Sequence, residues 1–339
     1  MSLERDGNVR DISRRHFLAA LPALPALAAC DVREFARAHG GKLRLSVATA
    51  PVGGVYYIYG GAVAKVISAY IPNVEATAEV TGASGDNLRF LRDGRVDLAF
   101  VTGDALADAL AGRGRFASFG IVPAVGIATL YAQTLHLATF ERTGIRSLAD
   151  LRGRVVAIGT PGSGTQEMVA RILRAVGMDP DRDIVHQGLG VGAAAEALKD
   201  GKVDALFWSS GYPNGAILDL ANTPGERLRL LPSVEALPAL QRSYGASLYF
   251  ELAIPRAAYP GLDADVPTVG VATVLVADAR MDAELAYEIT RALFEHRDEL
   301  IAVHEIAREL TLASAVERSP APYHPGAVRY YRERGAWPG

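Results

Sequence analysis

Short apolar runs alternate with longer segments of helical period along most of this chain. LRLSVATA (Leu43–Ala50) reads as a strand, Val55–Ala69 as a helix and VEATAEV (Val74–Val80) as a second strand. A helix at Asn87–Arg92 and a strand at Val96–Val101 follow. The second half repeats the rhythm: strand Arg154–Ile158, helix Thr165–Val176 closed by Gly177, strand Ile184–His186, helix Ala193–Leu198, strand Val203–Trp208. Continuous apolar runs of this length suit strands buried on both faces. The βαβα order predicts α/β lobes with mostly parallel sheets and right-handed crossovers. Beyond Asp282 the pattern is helical, over Asp282–Glu299, Ile301–Leu310 and Gly326–Arg334.

One junction is spelled twice, as DGRVDLAF at residues 93–100 and DGKVDALF at 200–207. Asp-Gly closes a helix, because glycine reaches the left-handed conformation of a helix end. The apolar run behind it enters the sheet. The recurrence predicts two lobes on one plan, and the length fits two domains of ordinary size.

Three turns share a grammar: GGVYY at 53–57, GASGDN at 82–87 and PGSGT at 161–165. Each follows a strand and opens a helix, so each lies at the carboxyl end of a sheet, where open α/β folds bind ligands. Glycine lets a ligand approach the backbone. A helix start offers free N–H groups and a positive dipole end, which suit an anion. Ser163-Gly-Thr-Gln166 also fits a capping box, which would satisfy those donors internally.

Composition narrows the classes. Half of the residues are apolar and the formal net charge is −3. Lys and Arg are scattered, with no basic stripe bearing aromatics, so nucleic acid is not an expected partner. The first 29 residues read as a leader. Arg14-Arg15 in Ser13-Arg-Arg-His-Phe-Leu18 fits a twin-arginine export signal. Phe17–Ala29 is apolar but too short to span a bilayer. It ends in Leu27-Ala-Ala-Cys30, which fits a lipobox, and Cys30 is the only cysteine. Lipidation at Cys30 is therefore expected, giving a membrane-tethered protein outside the cytoplasm. Ordinary cleavage after Ala26-Leu27-Ala28, or an apolar helix that stays, are the alternatives.

Other motifs fail. Gly159–Gln166 carries Thr165 where a P-loop needs Lys. Gly188–Ala193 matches a dinucleotide fingerprint only loosely. The seven histidines lack zinc spacing. Ser163 lacks a GxSxG context.

GVYYIYGGAVAK, the Gly82–Asn87 turn, LRGRVVAIGTPGSGTQ, DGKVDALFWSSGYP and the C-terminal YHPGAVRYYRERG together resemble the TAXI solute-binding proteins, the receptors of TRAP transporters. The resemblance runs from Leu43 to Gly335. It implies a type II periplasmic-binding-protein fold, α/β, with two lobes joined by two crossing strands around a central cleft. Residues 43–133 with 271–339 would form lobe I and 134–270 lobe II, with crossings near Leu130–His136 and Thr268–Val276. It implies a small organic anion as ligand, such as a dicarboxylate or acidic amino acid, delivered to TRAP-type membrane permease subunits. The family's first-lobe contacts map onto Gly54, Tyr56, Tyr57, Ser84 and Asn87. Its second-lobe contacts map onto Ser163, Gly164, Thr165, Trp208 and Gly211. No cofactor, metal or catalytic residue is implied. A twin-arginine leader with a lipobox departs from the simple secretory leader of the family. The other readings are a periplasmic α/β hydrolase or lyase using Ser163, and a ligand-sensing subunit of a signalling system.

Overall fold

The structure is a computed structural model and describes residues 42–338. The leader, its arginine pair and Cys30 lie outside the described residues. The strands are β1 (Leu43–Ala48), β2 (Val74–Glu79), β3 (Leu98–Thr102), β4 (Ala124–Phe140), β5 (Val155–Ala157), β6 (Val185–Gln187), β7 (Ala205–Ser210), β8 (Leu228–Leu230), β9 (Tyr249–Ile254) and β10 (Val266–Asp278). The helices that matter for the cleft are α1 (Val55–Tyr70), α2 (Ser84–Arg92), α3 (Gly103–Ala111), α4 (Gly164–Ala175) and α5 (Val191–Lys199).

Sheet order is β2-β1-β3-β10-β4-β7-β5-β6, with β8 on β4 and β9 on β10. Neighbours β1–β2, β1–β3, β5–β6 and β5–β7 are parallel, as the βαβ rhythm requires. The long strands β4 and β10 run antiparallel to each other and to their flanking strands. β4 pairs with β10 up to Thr134 and with β7 from Thr134 onward. β10 pairs with β9 up to Val271 and with β3 from Thr273 onward. These two strands carry the chain from one lobe to the other.

The apolar cores separate accordingly. Two clusters draw on residues 45–131 and 272–331, among them Tyr59, Phe100, Leu275 and Tyr331. Two others draw on residues 135–271, among them Leu137, Met168, Phe207 and Tyr259. The molecule is a two-lobed α/β fold with a cleft between the lobes.

The doubled octapeptide performs one task twice. Gly94 and Gly201 adopt φ of +67° and +70° behind α2 and α5. The aspartate that follows then ties the new strand to its neighbour. Asp97 accepts the Ser46 N–H at 2.8 Å, and Asp204 accepts the Val155 N–H at 2.9 Å. Phe100 and Phe207 end the motif fully buried, one in each lobe.

The C-terminal helices are shorter than the sequence pattern predicts. Asp282–Glu299 breaks at His296 into Ala283–Glu295 and Arg297–Val303, and Glu305–Glu309 is a 3₁₀ segment. Among the described residues no helix is long and apolar enough to cross a membrane.

Candidate ligand-binding site

Four helices start at one point between the lobes. Their N-cap residues are Gly54 (α1), Ala83 (α2), Thr102 (α3) and Ser163 (α4), and all four line a single cavity. Each helix leaves its first N–H groups without an acceptor one turn back. Each also directs the positive end of its dipole into the cavity. The first three caps make no side-chain capping bond. Ser163 does: its Oγ accepts the Gln166 N–H at 3.1 Å, and Gln166 Oε1 returns to the Gly162 N–H at 2.8 Å. The capping box expected from the sequence therefore exists, but it leaves the Gly164 and Thr165 N–H groups facing the cleft.

The cavity is about 30 Å³, with room for about two water-sized groups. Tyr56, Tyr131, Gln133, Thr165, Trp208, Ser209 and Ser210 complete its polar wall. Three buried donors in that wall have no partner within the protein: Thr102 Oγ1, Tyr131 OH and Trp208 Nε1. Buried polar groups in folded proteins are overwhelmingly paired, so three orphans on residues lining one cavity mark a place for a ligand's polar groups. Burial pushes the phenols of Tyr56 and Tyr131 upward, so both stay neutral donors at ordinary pH. Ala83 holds φ +73° with ψ −156° at its cap, a region nearly closed to a residue with a side chain. Such strain collects at ligand clamps.

The lobes meet closely here. A Cβ on Gly164 would come within 2.9 Å of Thr102 Oγ1 and 3.0 Å of Ser84 Oγ, both from the other lobe. Gln133 on β4 spans the floor. Its amide NH₂ donates to Tyr56 OH and, at 2.9 Å, to Thr273 Oγ1, while its oxygen accepts from Ser209 Oγ at 2.7 Å.

Of the residues expected at the site, the structure brings together Gly54, Tyr56, Ser84, Ser163, Gly164, Thr165 and Trp208. It does not bring three others. Tyr57 points outward and is 37% exposed, because one step along α1 turns the side chain about 100° from Tyr56. Asn87 is fully buried, but its amide is committed to the Thr49 and Phe100 carbonyls at 2.7 and 2.8 Å. It braces the ends of β1 and β3. Gly211 packs beneath the floor, where a Cβ would lie 2.9 Å from Ile306 Cγ1. Tyr131 and Gln133 were missed. Their signal was a polar interruption, Gln133-Thr134, inside the otherwise apolar VGIATLYAQTLHLATF. Arg89 and Arg92 turn away, to Asp86 and to Asp93. Among the described residues no group of three His, Cys, Asp or Glu could hold a metal ion.

The sequence profile of the NMT1-like family matches residues 47–335, nearly the whole described chain. The chain belongs to the NMT1-like family. Solved structures share its fold. PhnD1 from Prochlorococcus marinus MIT 9301, in complex with methylphosphonate, matches at 12% identity over 86% of this chain and 96% of that one, with a TM-score of 0.52. A chain from Bordetella bronchiseptica RB50 matches at 16% identity over 87% and 90%, with a TM-score of 0.50. The periplasmic aliphatic sulphonate binding protein SsuA from Escherichia coli matches at 17% identity over 79% and 75%, with a TM-score of 0.44. The NMT1-like chain thus shares the fold of PhnD1 and of the Bordetella chain.

Proposed function

We propose that this chain is an extracytoplasmic solute receptor that takes up a small organic anion between its lobes. One observation carries the reading: four helix N-termini and three residues with an unpartnered buried polar atom line one interlobe cavity. Hydrogen bonds to a charged group contribute about 1.5–3 kcal/mol each, so a few of them suffice for micromolar binding at about 8.2 kcal/mol, before ordering costs. The ligand is a carboxylate-bearing metabolite, of the dicarboxylate or acidic amino acid kind. The lobes, residues 43–133 with 271–339 and residues 134–270, part to admit it. The resemblance to TAXI proteins makes a TRAP-type permease the recipient, and lipid at Cys30 holds the receptor beside it. PhnD1, of the same fold, was solved with an anion, methylphosphonate.

The hydrolase reading gains no support from Ser163, whose oxygen caps α4 rather than facing a base. The test is thermal unfolding against a panel of organic anions. Ligand at 100 times its Kd should add about 2.7 kcal/mol to stability. A folded protein unmoved by every anion in the panel overturns the reading.

A further inference from the structure

The cavity is rich in donors and holds no anionic side chain. None of the residues lining it is Asp, Glu, His, Lys or Arg. Several side-chain oxygens in the lining already accept one hydrogen bond from the protein's own donors. Ser84 Oγ accepts from Thr102 N, Ser163 Oγ from Gln166 N, Thr165 Oγ1 from Ser209 N and Gln133 Oε1 from Ser209 Oγ. Asp104, in the first turn of α3, is occupied by Tyr249 OH at 2.7 Å and the Ala105 N–H at 2.8 Å, and it does not line the cavity. Among the unpartnered atoms only Trp208 Nε1 is purely a donor, while the Thr102 and Tyr131 hydroxyls can donate or accept, and the four helix starts add N–H donors but no anionic group.

We infer that the ligand carries an anionic group and no ammonium group, so amino acids are selected against. The inference rests on the anion-receptor reading and narrows it. An ammonium brings three donors and a positive charge. In this cavity it would meet four positive helix ends and no carboxylate, and burying it unpaired is costly. Keto, hydroxy and unsubstituted acids bring no positive charge, and their oxygens suit the Trp208 N–H and the Thr102 and Tyr131 hydroxyls.

The test is calorimetric titration of the folded protein with acids matched in carbon skeleton: glutarate, 2-oxoglutarate and glutamate, then succinate, malate and aspartate. Within each set that binds, the amino acid should bind at least about tenfold more weakly than its best amine-free partner, about 1.4 kcal/mol. An amino acid that binds as tightly as its partners overturns this inference and leaves the anion reading standing. Failure of all the acids, in a protein whose melting is cooperative, removes both.

Discussion

Arg171 on α4 and Asp108 on α3 form an ion pair across the cleft, with the two side chains only 3% and 9% exposed. Arg171 also reaches Glu167 on its own helix at 3.2 Å and donates to Tyr249 OH at 3.1 Å, and that hydroxyl donates to Asp104. The Tyr244 ring lies 4.3 Å from the guanidinium carbon. Two groups of one lobe, Arg171 and the Tyr249 hydroxyl, thus hold two carboxylates of the other, Asp108 and Asp104. Nearby, Arg115 donates to the Gly162 carbonyl across the same gap.

Asp108→Asn should open the molecule. Losing one partner of a buried pair costs about 3–5 kcal/mol, and Glu167 keeps the loss near the lower bound. Because the pair crosses the cleft, the cost falls on closure. Small-angle scattering should show a larger radius of gyration, and ligand affinity should drop about tenfold or more. An unchanged radius would mean that the pair only stabilises the lobes individually.

Thr102→Val and Tyr131→Phe each delete a donor that has no partner in the protein. The ligand-free melting temperature should hold or rise, since a buried unsatisfied group is removed. Affinity should fall by about 1.5–3 kcal/mol for each bond to a charged ligand. A fall in stability with no change in affinity would place the ligand elsewhere.

Gly164→Val puts a branched side chain where Thr102 and Ser84 approach from the other lobe. It should abolish measurable binding while lowering the ligand-free melting point only slightly, because the clash exists only between lobes. Retained micromolar affinity by calorimetry would refute the placement.

His136 sets an acid limit. Burial pushes its imidazole down to about 4 from the ordinary 6.5. Its Nδ1 donates to the Trp208 carbonyl at 3.3 Å and its Nε2 accepts from Tyr259 OH at 2.9 Å, an arrangement of the neutral ring. The unfolded chain binds the proton first, so stability falls as pH drops from 6.5 towards 4, by up to about 3 kcal/mol. His304 and His324, also lowered by burial, act in the same direction. Asp97, Asp108 and Glu309, raised by burial, act against it. Chemical unfolding of His136→Asn across this range should therefore show a shallower loss than the parent chain. Equal slopes would exclude His136 as the source.

Cys30→Ala should move the protein from the membrane fraction to the soluble fraction of cells that export it. Two or more acyl chains anchor a protein where one holds it only marginally. Identical fractionation of the two chains would dispose of the lipid anchor.

The glycine turns made much of the candidate site readable in advance. Gly54, Ser84 and Ser163–Thr165 sit where strand ends hand over to helices, and that handover is a local pattern. Thr102 was visible in part, as the exit of the first octapeptide strand, but α3 behind it was not expected. GDALADALA is rich in alanine with few large apolar residues, so its period is faint. Asn87 was expected as a ligand contact because the first-lobe contacts of the TAXI proteins map onto it. Its true partners, the Thr49 and Phe100 carbonyls, come from strands 38 and 13 positions away. Tyr131 and Gln133 face the cavity only because β4 crosses the lobes there, a fact of sheet order. Arg171 gave no sign at all, since pairing with Asp108 spans 63 residues and two lobes.

β10 lies between β3 and β4 in the sheet, yet it is the last strand to leave the ribosome. Until residue 278 emerges, Leu98–Thr102 has no neighbour on one side and the first half of β4 has none on the side β10 will take. Bare strand edges template pairing between chains, and joining β3 to β10 closes a loop of some 170 residues, a slow, non-local step. Residues 135–271 can gather their own apolar clusters first, while the other lobe waits for its keystone. A translocation route for finished chains, as Arg14-Arg15 predicts, suits a protein whose central strand is synthesised so late.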